Sequence, residues 1–290
     1  MRILVFGVGG SIMFRYIALV LTFLGALGVC AGVGGFSGLQ WLWILPVSLV
    51  GCFLILAVLF FMTLWISSLV VDTSKPQKES NRYYRALTYI TADAVIWILR
   101  MRVHTKGLEQ IPPKGRFLLV CNHINDLDPV TLLAFFKKQK LAFISKRENT
   151  TMFIVGKLMH KILCQLINRE NDREALKTIL TCVDILNQDK ASVAVFPEGY
   201  TSMDAKLHPF RSGVFKIAQR AKVPIVVCTL LNTEKVFGNA LRLKPTDVHL
   251  HLLGVVYPED VQGMTTVDIG NKVHAMMAED LGPENVLQEP

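Results

Sequence analysis

The first 71 residues of this 290-residue chain carry two charged side chains, Arg2 and Arg15. All 23 acidic residues lie beyond Val71. A stretch of that composition must be covered by lipid or protein, so it sets the architecture before anything else does. Tyr16–Phe36 holds 21 uncharged residues, and Leu39–Val71 is again uncharged. A membrane span needs about 20. Residues 1–71 are therefore expected to form a two-helix transmembrane region, with spans near 16–36 and 44–70. Residues 3–14 are apolar but too short to span alone. A cleaved signal peptide fits poorly, because apolar sequence continues far past any cleavage point and no A-x-A-like site stands out. Arg2 and Arg15 precede the first span, and Lys75, Lys78, Arg82 and Arg85 follow the second. Cationic flanks on both ends, with an uncharged loop around 34–40, place both ends of the hairpin in the cytoplasm. Gly28 and Gly32 suggest a small-x-x-x-small contact between the helices. Six cysteines with no CxxC agree with a reducing compartment.

Beyond Val71 the composition is that of a globular domain. Residues 72–102 read as a polar linker followed by a helix with an apolar face, and 103–290 as the main domain. The linker is "DTSKPQKES". Strands are expected at 116–121, 141–145, 192–196, 225–231 and 248–256, and helices at 129–138, 150–166, 172–188, 210–221 and 267–280. That alternation predicts an α/β fold, with a mostly parallel central sheet flanked by helices. In such sheets ligands bind outside the carboxyl ends of the strands.

The formal charge of +8 implies an anionic partner. No zinc-finger spacing, aromatic RNA-binding motif or basic helix is present, so nucleic acid is not expected. Beside a membrane hairpin, the lipid bilayer or an anionic substrate is the simpler partner.

Two short stretches follow expected strands. In "NHINDLDP", His123 and Asp128 are five residues apart and Pro129 comes next. Aspartate before proline is a preferred helix start, so a cap and a loop histidine explain these residues alone. The same geometry also lets a fixed carboxylate orient one imidazole nitrogen and leave the other as a base. No serine or cysteine stands at an elbow, so such a base would act on a substrate hydroxyl. In "VFPEGY", Pro197 and Gly199 bracket Glu198 in a tight turn; a solvent-facing turn explains it equally well. His249 and His251 alternate on one strand face, too few ligands for a metal, and none is expected.

Taken together, these stretches resemble the membrane glycerolipid acyltransferases, above all those that act on 1-acyl-sn-glycerol-3-phosphate. N-H-x-x-x-x-D is matched by Asn122, His123 and Asp128. The second block is matched by Arg169 in "LINREND", with Lys146 in "FISKRE" upstream of it. F-P-E-G is Phe196, Pro197, Glu198 and Gly199, continuing into "LHPFRSGVFKIA". The fourth block is Val223-Pro224-Ile225. The resemblance covers about residues 100–240. It implies acyl transfer from acyl-CoA or acyl-carrier protein to a lysophospholipid acceptor, with His123 as base and Asp128 as its orienting acid. It implies no cofactor and no covalent enzyme intermediate. Lys146 and Arg169 would hold the acceptor phosphate, Glu198 would accept hydrogen bonds from acceptor hydroxyls or fix a cation, and N–H groups around Gly199 would bind phosphate or the oxyanion. The family commonly continues F-P-E-G with T-R, whereas this chain has Tyr200 and Thr201. The chain would then recruit Arg211 or take a different acceptor. Glycerol-3-phosphate, another lysophospholipid, a lyso-aminolipid, and a non-catalytic lipid-binding protein are the alternatives. His208 is a further residue expected to line the site.

Overall fold

The computed structural model describes residues 9–146, 148–149, 152–168 and 171–287, with residues 9–14 by backbone alone. The chain divides between Asp72 and Thr73 into two compact units. The helix expected within 72–102 therefore belongs to the main domain.

The first unit is a helical hairpin, α1 (Gly9–Gly32) and α2 (Trp41–Leu69). Two segments, Arg15–Gly32 and Trp41–Leu69, are long and apolar enough to cross a membrane. α1 starts earlier and ends earlier than expected. Arg15 lies inside it, and the chain turns at Gly34 and Gly38, whose φ of +67° and +86° suit glycine. The helix contact is not at the expected glycines. A Cβ on Gly28 or Gly32 would meet nothing within 4 Å, whereas one on Gly25 would lie 3.2 Å from the Cys52 sulfur.

The second unit carries a seven-stranded sheet. Its strands are β1 (Met101–Lys106), β2 (Leu118–Cys121), β3 (Ala142–Lys146), β4 (Gln165–Ile167), β5 (Val193–Val195), β6 (Ile225–Leu231) and β7 (Thr246–Val256). Their spatial order is β1-β7-β6-β2-β5-β3-β4. Only the β6–β7 pair is antiparallel. The helices are α3 (Arg82–Ile98), α4 (Asp128–Phe135), α5 (Phe153–Lys161), α6 (Asp172–Asn187), α7 (Lys216–Ala221), α8 (Val236–Leu241) and α9 (Thr266–Leu281). Alternate residues of the central strands feed opposite faces, as the two-residue period of a strand requires. Leu118, Val120, Val193 and Val195 pack with α6, α7 and α9. Leu119, Cys121, Ala194 and Val226 pack with α3 and α4.

β1, β4 and α8 were not expected from the sequence. β1 is an edge strand with polar alternate positions, "MRVHTK", and β4 is three residues long. The helix expected over 150–166 is shorter. α5 ends at Lys161, and Leu163 adopts a positive φ of 71° before β4 begins.

α3 is tied to the sheet by a buried guanidinium. Arg85 donates to the carbonyl oxygens of Leu141 and Ile162, both at 2.9 Å, and to Ser80 Oγ at 2.7 Å. It satisfies carbonyls at the start of β3 and the end of α5 that would otherwise be buried unpaired. Arg85 is thus a structural residue of the domain rather than a cationic flank of the hairpin.

Candidate active site

The site follows from strand register. β2 and β5 are parallel neighbours with Val120 opposite Val195. Three residues further on, His123 and Glu198 leave the sheet side by side. Glu198 is 1% exposed. Its carboxylate accepts the His123 N–H at 2.8 Å through one oxygen and the His208 N–H at 3.0 Å through the other. Asn122 fixes the loop on the other side: its side-chain amide donates to the Leu230 carbonyl at 2.9 Å and accepts the Leu230 N–H at 2.8 Å.

His123 and Asp128 do come together. The His123 Nδ1 lies 3.0 Å from Asp128 Oδ2. That oxygen also accepts the N–H groups of Ile124 at 2.7 Å and Asn125 at 2.8 Å. The other oxygen accepts the Thr233 hydroxyl at 2.5 Å. Asp128 is the first residue of α4, not its cap, and Pro129 is the second. Its carboxylate turns back onto the preceding loop, so the cap explanation fails. With the acid accepting at Nδ1, the proton sits there and Nε2 is the basic nitrogen. The Thr201 hydroxyl stands 3.0 Å from Nε2. The imidazole lies flat on Phe196, with ring centroids 4.2 Å apart and planes at 18°.

A cleft of about 400 Å³ opens from this histidine. Thr88, Thr91 and Val95 of α3, Leu133 of α4, and Val155 and Met159 of α5 contribute to its wall. The hydroxyls of Thr88 and Thr91 are spent on carbonyls of their own helix, so that wall is effectively apolar. Lys146 and Tyr200 also line it. A second hollow of about 410 Å³, around Lys222, Pro258 and Val261, contains none of these residues. Cys121 and Cys228, paired across β2 and β6 beside the site, are buried, and burial pushes both thiols well above their usual range. They are not nucleophiles.

Several expected residues take other places. Glu198 does not face the cleft, because both of its oxygens are taken by backbone donors, so it locks the two loops together. The Gly199 N–H is used within the turn, donating to the Phe196 carbonyl at 3.1 Å, although Gly199 itself lines the cleft. The Arg211 backbone N–H donates to the Pro197 carbonyl at 2.8 Å. Its exposed side chain is not among the cleft residues. Lys146, at the end of β3, is well placed. Arg169 lies outside the described residues. His208 sits behind the lining and contacts Tyr200 and Asp204. Among the described residues, no group of three or more His, Cys, Asp or Glu is placed to hold a metal. Reading the sequence missed Thr233 and the contact from Thr201 to His123. The one signal for Thr233 was its position two residues after a buried strand.

Burial pushes the Glu198 carboxyl up to about 7, and the two N–H donors only partly offset it. The folded state therefore holds this proton more tightly than the unfolded chain. The resulting stability is present below about 4.5, the ordinary carboxyl value, and is lost as pH rises through about 7. In the Glu198→Gln variant, thermal unfolding in detergent should lose this fall between those pH values. The variant's midpoint should also be lower throughout, since its amide nitrogen must face one N–H donor. An unchanged pH slope would show that Glu198 does not titrate there.

The chain is similar to known acyltransferases. Residues 102–230 match the family model described as Acyltransferase. A 1-acyl-sn-glycerol-3-phosphate acyltransferase of Chlamydomonas reinhardtii is 31% identical over 68% of this chain and 58% of its own length. The chain thus spans less than two thirds of that relative. A probable 1-acyl-sn-glycerol-3-phosphate acyltransferase of Mycoplasma pneumoniae is 30% identical over 67% of this chain and 75% of its own length. The crystal structure of the 1-acyl-sn-glycerophosphate acyltransferase from Thermotoga maritima shares the fold. Its TM-score is 0.59 at 18% identity, covering 95% of this chain and all of that one. An imidazole steered by a buried carboxylate at the head of an apolar cleft, with relatives of this kind, makes the chain a member of the acyltransferase family.

Proposed function

We propose that this protein is a membrane-bound O-acyltransferase that moves a fatty acyl group from acyl-CoA or acyl-carrier protein to the sn-2 hydroxyl of lysophosphatidate, giving phosphatidate. The observation that carries this reading is the line from Asp128 through His123 to the Thr201 hydroxyl at the head of the apolar cleft. Thr201 Oγ marks where an alcohol meets the base. The acceptor hydroxyl takes that place, loses its proton to Nε2 and attacks the thioester carbonyl. The imidazolium then returns the proton to the departing thiolate. The acyl chain lies along the cleft wall, and Lys146 offers a cation for an anionic group. The apolar hairpin supports membrane attachment. Arg2 and Arg15 near its start, and Lys75, Lys78 and Arg82 after it, support a catalytic domain on the cytoplasmic face.

The test is the product. Purified protein in detergent, given mixed acyl donors with lysophosphatidate, glycerol-3-phosphate and other lysolipids, should yield phosphatidate by mass spectrometry. Preferential use of another acceptor would move the protein to a different substrate within the same chemistry. Bound lysolipid with no ester formed from any donor would make it a lipid-binding protein.

The same three side chains are also arranged as a nucleophile, a base and an orienting acid. If Thr201 carried the acyl group, Thr201→Val would abolish turnover and an acyl-enzyme would appear in the intact mass. Direct transfer predicts no acyl-enzyme and a kcat within about threefold of wild type, because the interaction removed is not one made in the transition state.

A further inference from the structure

Tyr200 occupies the turn after Gly199, lines the cleft and is 39% exposed. Its hydroxyl lies 2.9 Å from His208 Nδ1, and His208 Nε2 lies 2.9 Å from Asp204 Oδ1. The rings of Tyr200 and His208 meet edge to face at 5.5 Å. The His208 backbone is anchored on Glu198, the same buried carboxylate that anchors the backbone of His123. The phenol and the catalytic imidazole are therefore held in one frame. Thr201, the next residue, touches the base. The turn thus presents one hydroxyl at the reacting centre and a second, histidine-backed hydroxyl beside it. No guanidinium stands at either position, and the Arg211 side chain does not reach the lining.

Resting on the acyl-transfer reading above, we propose that Tyr200, positioned by His208 and Asp204, contacts the acceptor's phosphate and sets headgroup specificity. The Asp204 carboxylate accepts at Nε2, so that nitrogen carries a proton and Nδ1 is left as an acceptor. The phenol O–H donates to Nδ1, and a phosphate oxygen in the cleft draws this same rotatable donor to itself. A tyrosine hydroxyl is rigid and costs little rotamer entropy on binding. It supplies one directional donor where an arginine would supply a fork. Tyr200 is thus a specificity residue, and His208 and Asp204 are positioning residues.

The experiment compares wild type, Tyr200→Phe and His208→Gln. Acceptors are lysophosphatidate and 1-acylglycerol, which lacks the phosphate. Losing a hydrogen bond to a charged group should raise KM for lysophosphatidate by about 10–100-fold in Tyr200→Phe, with kcat at saturation within about threefold. KM for 1-acylglycerol should hardly move, so the preference for the phosphorylated acceptor falls by the same factor. His208→Gln should shift KM in the same direction by less. Equal losses on both acceptors, or a fall in kcat alone, would overturn the proposal and leave Tyr200 a structural residue. Equilibrium binding of radiolabelled lysophosphatidate in mixed micelles, without donor, gives a reading independent of turnover. Weaker binding by Tyr200→Phe supports the proposal even if no transfer is seen, and equal binding overturns it. Absence of transfer by the wild type would sink the acyl-transfer reading alone.

Discussion

His123→Ala should lower the acyl-transfer rate by about 10²–10⁴-fold, the range over which a positioned general base contributes. The loss should fall on kcat, because the ring contributes to proton transfer and not to holding the acyl chain. The variant should stay folded. The structural work of residue 123 is done by its backbone: the N–H donates to Glu198, and the carbonyl accepts the Ser202 N–H at 2.8 Å. Alanine keeps both bonds. What it removes is the stacking on Phe196, the contact with the Thr201 hydroxyl and one of the hydrogen bonds to Asp128. Steady-state rates beside a thermal melt check the pair of expectations. A folded variant with near-wild-type rate would show that His123 is not the base.

Asp128→Asn separates the charge of the acid from its geometry. Three donors converge on Oδ2, whereas Oδ1 meets only the Thr233 hydroxyl. The amide oxygen of asparagine must therefore take the Oδ2 position. Its NH₂ then faces the threonine oxygen, which can accept once the hydroxyl rotates. The Nδ1–H tautomer survives, and only the negative charge is lost. A charge pair at about 4 Å, at an effective dielectric of about 20, is worth about 4 kcal/mol. Losing its stabilisation of the imidazolium should reduce kcat by about 10²–10³-fold. Stability should fall by about 1–2 kcal/mol, as charged hydrogen bonds become neutral ones. Asp128→Ala is the contrast. It strands two backbone donors and a buried hydroxyl and should cost about 3 kcal/mol or more. If Asp128→Asn keeps full kcat, the acid's charge plays no part in the reaction.

Long apolar runs and buried strands were legible because their signals are local. The hairpin was evident from charge alone, and β6 falls where its run Ile225–Leu231 predicts. β1 was not, because it is an edge strand whose polar alternate positions resemble a loop. β4 was hidden by its length: three residues give no periodicity. The site was legible in part. The His123–Asp128 pair is five residues apart, close enough for spacing to suggest it. The Thr233 contact spans 105 residues and the Thr201 contact 78, and no local pattern encodes either.

The sequence by itself determined the two-part chain, the parallel α/β order and the pairing of His123 with Asp128. Each of these is written in composition, in alternation or in short spacing. The tertiary structure decided what each polar side chain faces. Parallel pairing of β2 with β5 brings Glu198 beneath His123 and makes it a lock. Without that pairing Glu198 reads as a surface carboxylate at a turn. The same pairing sets Thr201 on the His123 ring and turns Tyr200 to the cleft. The physical reason is that the role of a polar group is set by which donors, acceptors and solvent surround it, and those neighbours come from strands far apart in the chain.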